Sequence, residues 1–397
     1  MQGMLRGFVK VNVFVCLLLA LLGACKSRSK SDAAVWTDTT AVSTVTACSD
    51  SNFFQYAKNV VAYPRDYGYR MEVLNPWDST AKLGCFALVE EGHTPQEVFE
   101  PGLVPVQLPV HSVISFSSTQ WSVFLQLGEI QRVKGILEGC YVHDTTMIAL
   151  LQQGVVKDVG TESAMNMELL IQMKPDMLLY SPYFDGNQNS LKVTGAALFP
   201  FADYLETTPL GRAEWIRVVG LLTGKCQEAD AWFHDIESRY DALSNLCAHV
   251  DHRPTVFSDL AFNGQWYVAG GQSYIAKLFA DAGADYIWKD NASTASFPLD
   301  SETILAKAQH ADFWRVANSS SLPMTYESLK RENAIYALFD AYKNHRILVC
   351  DIQETGYFER SQMEPDILLA DFISFFHPEC LTGVYAGYVP KYYHCMK

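Results

Sequence analysis

The sequence predicts an α/β fold of two lobes, each with a central, mainly parallel sheet flanked by helices, joined by one long α-helix. Short apolar strands alternate with amphipathic helices in two successive runs, a pattern typical of parallel sheets covered by helices. An uninterrupted helical pattern separates the two runs. The roughly 370 residues that follow an N-terminal leader also exceed the usual limit of about 250–300 for one core.

The first lobe is expected over residues 51–225, with an additional β-hairpin region at 60–90. In that region, alternating apolar residues are interrupted by turn signals at Pro64 and Asn75-Pro76, which favour a small antiparallel ribbon. The strands predicted in the rest of the lobe are Val113–Phe116, Val133–Leu137, Val155–Val159, Asp176–Tyr180 and Leu198–Phe201. The helices predicted between them are Ser118–Leu127, Met165–Met173 and Ala213–Leu222.

The linker helix is expected within residues 226–250, where Gln227–Val250 contains neither Gly nor Pro. Trp232, Ile236, Tyr240, Leu243 and Leu246 recur at three- and four-residue steps, which indicates one buried helical face.

The second lobe is expected over residues 251–397 and repeats the strand–helix alternation of the first. Its predicted strands are Thr255–Ser258, Trp266–Val268, Tyr286–Trp288, Asp312–Val316 and Arg346–Cys350. Its predicted helices are Ser273–Ala282, Ser301–Ala308 with Ser301 as N-cap, and Pro365–Phe376.

The N-terminus predicts export and lipid anchoring. Arg6 and Lys10 precede an apolar run, Val11–Leu22, that is too short to span a bilayer. The run ends in Leu22-Gly23-Ala24-Cys25, which resembles a bacterial lipobox. This resemblance implies that residues 1–24 are a signal peptide, that Cys25 is lipidated and that 25–50 are a flexible tether. The protein would then be held on the cell membrane, at its periplasmic face or at the cell surface. An ordinary cleaved signal is the alternative.

Composition and motifs exclude several classes of function. The net charge of −14 indicates no broad basic surface for nucleic acid. The absence of G-x-S-x-G and H-E-x-x-H argues against a periplasmic hydrolase, which stays the weaker alternative. Cysteine spacing does not suit a metal cluster.

Eight cysteines follow Cys25, namely Cys48, Cys85, Cys140, Cys226, Cys247, Cys350, Cys380 and Cys395. An even count in an exported protein permits disulfides. Cys226 and Cys247 lie at the two ends of the linker helix, too far apart to pair. A pair between Cys380 and Cys395 could close a small C-terminal loop, and buried free thiols are the alternative. No C-x-x-C occurs, so no metal site is expected.

Several segments between Val104 and Leu381 resemble the helical-backbone solute-binding proteins of ABC importers, which deliver vitamin B12, ferric siderophores and haem. The most specific match is the block Val159-Gly160, Asn166-Met167-Glu168 and Met173-Lys174-Pro175-Asp176-Met177-Leu178-Leu179. Other matching segments are Ser117-Ser118-Thr119, Gly270-Gly271, Ala282-Gly283-Ala284-Asp285 and Phe376-His377-Pro378-Glu379.

The resemblance implies a monomeric, non-catalytic binding protein with two partners, an ABC permease with its ATPase and a small ligand. The ligand would be a ferric siderophore or a related metal chelate or tetrapyrrole, and no other cofactor is expected. Permease docking would use one acidic residue per lobe. Glu168 occupies the first position and the neutral Gln272 the second. A cobamide- or haem-binding surface lipoprotein that acts without a permease is the alternative.

The ligand cleft is expected between the lobes, lined by residues that follow strands. The candidates are Trp121, Tyr141, Tyr183, Arg212, Trp266, Tyr357 and Arg360. Aromatic rings suit flat macrocycles, and arginines suit anionic chelates. His143, Tyr141 and Tyr183 are candidate haem ligands. Core packing is the alternative for each aromatic residue, and an ion pair with Glu206 or Glu214 is the alternative for Arg212.

Overall fold

A computed structural model describes residues 52–98, 100–182, 188–320 and 322–397, apart from the side chains of Gln188 and Asn189. These residues belong to one compact unit, Cys48–Lys397. The predicted signal peptide, Cys25, the tether and Tyr183 lie outside the described residues.

The described residues contain nineteen strands, most of them short. In chain order they are β1 (Val60–Arg65), β2 (Gly68–Leu74), β3 (Lys82–Val89), β4 (Val104–Gln107), β5 (Val113–Ser115), β6 (Val133–Ile136), β7 (Lys157–Asp158), β8 (Gly160–Thr161), β9 (Ala164–Met165), β10 (Met177–Tyr180), β11 (Ala197–Pro200), β12 (Thr255–Ser258), β13 (Ala261–Phe262), β14 (Gln265–Val268), β15 (Asp285–Tyr286), β16 (Phe297–Leu299), β17 (Phe313–Asn318), β18 (Ile347–Asp351) and β19 (His394–Cys395).

The α-helices of the described residues range from one turn to six. In chain order they are α1 (Ser118–Gln126), α2 (Thr145–Gln152), α3 (Met167–Met173), α4 (Gln188–Leu191), α5 (Pro209–Ala213), α6 (Ile216–Thr223), α7 (Cys226–Leu246), α8 (Tyr274–Asp281), α9 (Ser301–Ala308), α10 (Tyr326–Glu332), α11 (Asp340–Lys343), α12 (Ile352–Thr355), α13 (Tyr357–Arg360) and α14 (Pro365–Phe376). None of them is long and apolar enough to cross a membrane.

Each lobe is built on a five-stranded sheet, and the predicted fold class is confirmed. The first sheet has the order β11-β10-β5-β6-β7 and is parallel throughout. The second has the order β15-β12-β17-β18-β19, and its last pair, β18 with β19, is antiparallel. The central strand β10 is buried at all four residues, as expected for a parallel strand covered on both faces.

The helix α7 lies between the two sheets in the sequence and packs against both α6 and α14. Its buried residues, Ala229, Phe233, Ile236, Tyr240 and Leu243, form one stripe at three- and four-residue spacing. At 21 residues the helix is about 30 Å long. It ends at Leu246 with Cys247 as its C-cap, four residues before the predicted end.

The region before the first lobe forms a sheet of its own, in the order β1-β2-β3-β4. The first three strands are antiparallel, whereas β4 pairs with β3 in parallel. The sheet packs on the first lobe, with the ring of Phe86 4.8 Å from that of Phe199.

The helix predicted over Ala213–Leu222 is interrupted. The structure has two helices, α5 and α6, instead. At their junction the N–H groups of Trp215 and Val218 donate to the carbonyl oxygens of the residues three positions earlier, Arg212 and Trp215. The junction holds Glu214, whose buried carboxylate accepts backbone N–H bonds from Gln55, Tyr56 and Ala57. The junction that apolar periodicity does not reveal thus carries the side chain that holds residues 55–57.

The N-cap of α9 also differs from the prediction. Asp300, rather than Ser301, accepts the backbone N–H of Thr303 at 2.7 Å.

Candidate functional site

A cleft of about 380 Å³ opens at the carboxyl ends of three neighbouring strands of the first lobe, β5, β6 and β10. Ligands of open α/β sheets bind at such edges. The residues that line it are Phe116, Ser117, Ser118, Thr119, Trp121, Leu137, Glu138, Tyr141, Val142, Glu162, Ser181, Tyr204, Arg212 and Phe358. All of these except Phe358 come from the first lobe.

The turn between β5 and α1 is held by a capping box. The Ser117 side chain accepts the N–H of Thr119, and the Gln120 side chain reaches back to the N-cap. The same Gln120 oxygen accepts the N–H of Phe116 at 2.9 Å, which fixes the turn above the strand. One turn into α1, Trp121 is 1% exposed and lies against the cleft from within the core.

Arg212 is neutralised by an acidic partner at the cleft. Its Nε lies 3.4 Å from Oδ2 of Asp203, and its guanidinium stacks 5.5 Å from the ring centroid of Tyr274 in the second lobe. Asp203 is buried, and this burial raises the pKa of its carboxyl group. The ion pair expected as the alternative for Arg212 therefore exists, with Asp203 instead of Glu206 or Glu214.

The other charged residues of the cleft are acidic. Glu138 and Glu162 line it, and Arg212 is the one cation among the described residues that do so. A smaller depression of about 200 Å³, which includes His143 and Leu322, contains two further acids, Asp351 and Glu354.

One segment of the second lobe, residues 357–363, makes several polar bonds to the first lobe, and we call it the latch. Arg360 Nη2 lies 3.2 Å from Oδ2 of Asp144, and the carboxylate of Glu359 accepts the His143 N–H at 2.7 Å. Gln362 donates to Ser122 Oγ at 2.6 Å. These bonds cross between the lobes and place the exposed ring of Phe358 at the cleft.

The structure brings together Trp121, Tyr141 and Arg212 among the predicted ligand-binding residues. Tyr141 is 64% exposed, so its ring is accessible. Tyr183 lies outside the described residues. His143 lines the smaller depression rather than the cleft, and its role as a haem ligand stays a prediction.

Three predicted ligand contacts need correction. Trp266 is fully buried in the second lobe, where it packs against Trp314 and donates from Nε1 to the carbonyl of Ser258. Tyr357 is half-buried and packs edge-on against Tyr392. Arg360 belongs to the latch. None of these three lines the cleft.

Among the charged and aromatic residues that line the cleft, sequence reasoning missed four, Phe116, Glu138, Glu162 and Tyr204. Two of them carried a usable signal, because Phe116 and Glu138 stand at the carboxyl ends of predicted strands. Tyr204 lies in a short helical turn, Asp203–Leu205, that the apolar pattern does not reveal.

The two residues expected to dock on a permease are both exposed. Glu168 lies in the first turn of α3, where Asn166 is the N-cap. Gln272 follows Gly270-Gly271. A Cβ on Gly270 would lie 2.1 Å from the Ser293 carbonyl oxygen, so this close approach of two backbones requires glycine.

Comparison with known proteins agrees with this geometry. A family model described as "Periplasmic binding protein" matches residues 113–354, and the chain belongs to this family. It is a family of binding proteins and not of enzymes, which excludes the hydrolase alternative.

The chain is 30% identical over 300 residues to an uncharacterised lipoprotein of Methanocaldococcus jannaschii, with 72% of this chain and 70% of the relative covered. It is 28% identical to a cobalamin-binding protein of Halobacterium salinarum, with 48% of each chain covered. The crystal structure of an ABC transporter substrate-binding protein from Listeria monocytogenes has the same fold. Its TM-score is 0.54 at 18% identity, with 68% of this chain and 99% of that chain covered.

Proposed function

We propose that this protein is the extracytoplasmic substrate-binding lipoprotein of an ABC importer and that its ligand is a cobamide. The charge of the cleft carries the proposal. Two acids, Glu138 and Glu162, line the cleft, whereas the one described cation that lines it, Arg212, is already paired with Asp203. A neutral or cationic macrocycle suits such a site better than an anion does.

Ferric catecholates and carboxylates are anionic, and proteins recognise such groups with unpaired arginines or lysines. The carboxylate of Glu138 would repel them. Haem carries two propionates and requires an axial side chain, for which Tyr141 is the accessible candidate among the described residues. A corrinoid with amide side chains requires neither an unpaired cation nor an axial side chain. Its amides can form hydrogen bonds with Ser117, Ser118 and Ser181.

The aromatic residues of the cleft support a flat ligand. Tyr141 and Phe358 are 64% and 50% exposed and belong to opposite lobes. A corrin ring is larger than a cleft of 380 Å³, so we expect the ring to be only partly enclosed. The similarity to a protein named as cobalamin-binding supports the same choice.

The direct test is to titrate the purified protein with cyanocobalamin, with a ferric catecholate and with haemin, and to follow tryptophan fluorescence. We expect saturable binding of the cobamide alone. Equal or tighter binding of the ferric catecholate would contradict the charge argument. A double variant, Glu138→Gln with Glu162→Gln, provides a sharper check because it removes acidic charge from the cleft. It should strengthen binding of the ferric catecholate and leave cobamide binding nearly unchanged.

Delivery would proceed through a permease that recognises Glu168 in the first lobe. Glu168→Arg should abolish uptake in the native host and leave the dissociation constant for cyanocobalamin unchanged. Glu302→Arg is the matched control, because Glu302 is exposed in the first turn of α9 in the other lobe. Unchanged uptake by the Glu168→Arg protein would favour the alternative, a surface lipoprotein without a permease.

Membrane attachment would occur through Cys25. We expect Cys25→Ser to move the protein from the membrane fraction to the soluble fraction while ligand affinity is retained. Retention of the variant in the membrane fraction would contradict lipid anchoring at this residue.

A further inference from the structure

Three metal-ligating side chains, those of His377, Glu379 and Cys380, meet at the end of α14. Cys247, the C-cap of α7, lies beside them, because its Cβ packs on the same glycine, Gly283, as the His377 ring. His377 is the C-cap of α14, and Glu379 and Cys380 follow in the short helical turn Pro378–Cys380. The ligand atoms of His377, Glu379 and Cys380 all lie within 4.8 Å of one another.

The His377 ring is oriented as in a metal site. Its Nε2 lies 3.1 Å from the carbonyl oxygen of Gly283, which can only accept, so Nε2 carries a hydrogen. Metal-binding histidines commonly donate their second N–H to a backbone carbonyl in this way. The remaining nitrogen, Nδ1, faces Oε1 of Glu379 at 3.1 Å. A neutral ring would direct a lone pair at a carboxylate there, an arrangement that a cation or a proton between the two atoms relieves.

Burial holds the cluster in place. Cys247 is fully buried, and His377 is 4% exposed. A Cβ on Gly283 would lie 2.9 Å from the His377 ring and 3.1 Å from the Cys247 Cβ, so both residues pack tightly on the same glycine. Glu379 is exposed, which gives an ion a route of entry from solvent.

We propose that His377, Glu379 and Cys380 bind one Zn²⁺ or a similar divalent transition-metal ion and that the neighbouring Cys247 supplies the fourth ligand. Two sulfurs, one imidazole nitrogen and one carboxylate oxygen form a four-ligand set that suits tetrahedral zinc. Binding would release one proton from each thiol, with no change of oxidation state. The ion would fasten the end of the linker helix to the end of the last helix, and this role is independent of the identity of the cleft's ligand.

Co²⁺ tests the site because it binds in place of zinc and gives visible absorption. We expect one equivalent to bind the full-length protein, with an intense thiolate-to-metal charge-transfer band, and Zn²⁺ to displace it. Cys380→Ser should remove the charge-transfer band or weaken it severalfold. Cys395→Ser is the matched control, because Cys395 is an exposed cysteine on β19, and it should retain the full band.

Two results would overturn the proposal. The first is equal metal binding by the wild type and by the Cys380→Ser and His377→Gln variants, which would indicate adventitious binding. The second is a mass two hydrogens below that of the reduced chain, with a peptide linking Cys247 to Cys380, since a disulfide would leave no thiolates for the metal. These tests do not require a substitution of the fully buried Cys247, which could prevent folding. The Co²⁺ spectra of the wild type and of the variant at the half-buried Cys380 decide the question.

Discussion

The first lobe lines the cleft with loops that follow three of its strands, whereas the second lobe reaches it with one exposed ring, Phe358. The second lobe instead directs hydrogen bonds and an ion pair at the first through the latch. The difference indicates a division of labour in which recognition lies mainly in the first lobe, and the second lobe sets how the two lobes close.

The lobes also fasten the chain in different ways. In the first, the buried carboxylate of Glu214 accepts three backbone N–H bonds and pairs with the buried Arg217 at 2.6 Å. In the second, the buried carboxylate of Asp371 accepts the N–H groups of Lys391, Tyr392 and Tyr393 and the hydroxyl of Tyr388. A buried anion in each lobe therefore holds a distant segment of the chain.

The largest effect should come from the fastening of the first lobe. We expect Glu214→Ala to lower the free energy of unfolding by about 4 kcal/mol, because it leaves backbone donors and a buried guanidinium without this partner. Asp371→Ala should cost about 3 kcal/mol, since the donors it orphans, three backbone N–H groups and the Tyr388 hydroxyl, are uncharged. Denaturant unfolding measures both losses. The exposed Glu228→Ala should cost under about 0.5 kcal/mol, and a similar loss for all three variants would remove the distinction.

The second effect is a pH dependence that arises from Glu206 in the first lobe. Burial raises the pKa of Glu206 to about 7. Between about pH 4.5 and pH 7 the folded protein keeps a proton that the unfolded chain has released, so stability falls as the pH rises through this window. The contribution is about 3 kcal/mol across the window.

Unfolding free energies of the wild type and Glu206→Gln, measured from pH 4 to pH 8, isolate this contribution. We expect their difference to change through the window and to be constant on either side. Glu302→Gln, at an exposed position, should follow the wild type at every pH. Parallel profiles for Glu206→Gln and the wild type would show that Glu206 does not titrate there.

The third effect compares the two faces of the cleft. Tyr141→Ala should weaken ligand binding about tenfold, because it removes an aromatic contact worth about 1.4 kcal/mol. Phe358→Ala should weaken it less, by about fivefold, since the second lobe contributes this ring alone to the described lining. Isothermal titration gives both dissociation constants. Tyr267→Ala is the control, because Tyr267 is 44% exposed and lies away from the cleft.

The smallest effect concerns the latch. Arg360 is exposed and its partner Asp144 is buried, so we expect Arg360→Ala to lower stability by about 0.5–1 kcal/mol. Hydrogen exchange should become faster at the His143 amide, which bonds to the neighbouring Glu359. Lys225→Ala breaks an exposed pair within the first lobe and should leave that amide unchanged. An unchanged amide in both variants would show that Arg360 does not hold the lobes together.

The elements whose signals are local could be predicted from the sequence. The helix α14 has the predicted bounds, Pro365–Phe376, because a proline starts it and an apolar run fills it. The linker helix is likewise indicated by apolar residues at three- and four-residue spacing, and the parallel strands by short apolar runs. The strand β19 carried no such signal, because its two residues join the sheet through pairing with β18.

The site could be predicted only in part. Trp121 and Trp266 look alike in sequence, yet one borders the cleft and the other lies inside an aromatic cluster, a difference that only tertiary packing decides. Asp203 was not foreseen as the partner of Arg212, because a residue nine positions away in irregular structure gives no periodic signal. The approach of Cys247 to the turn that holds His377 and Cys380 was not predicted, since most of the second lobe separates these residues in the sequence.

The anchoring of residues 55–59 has a mechanical consequence. If the front of the chain is tied to a membrane, any pull on it reaches the described fold near Phe53, whose N–H bonds to the Ala62 carbonyl oxygen. The next interactions along the chain are the three hydrogen bonds that the N–H groups of Gln55, Tyr56 and Ala57 donate to Glu214, at 2.7–2.9 Å. Tension on the tether would thus be borne by hydrogen bonds to Glu214, a residue that does not line the cleft. A pull from the membrane would therefore load these bonds before it reached the residues that bind the ligand.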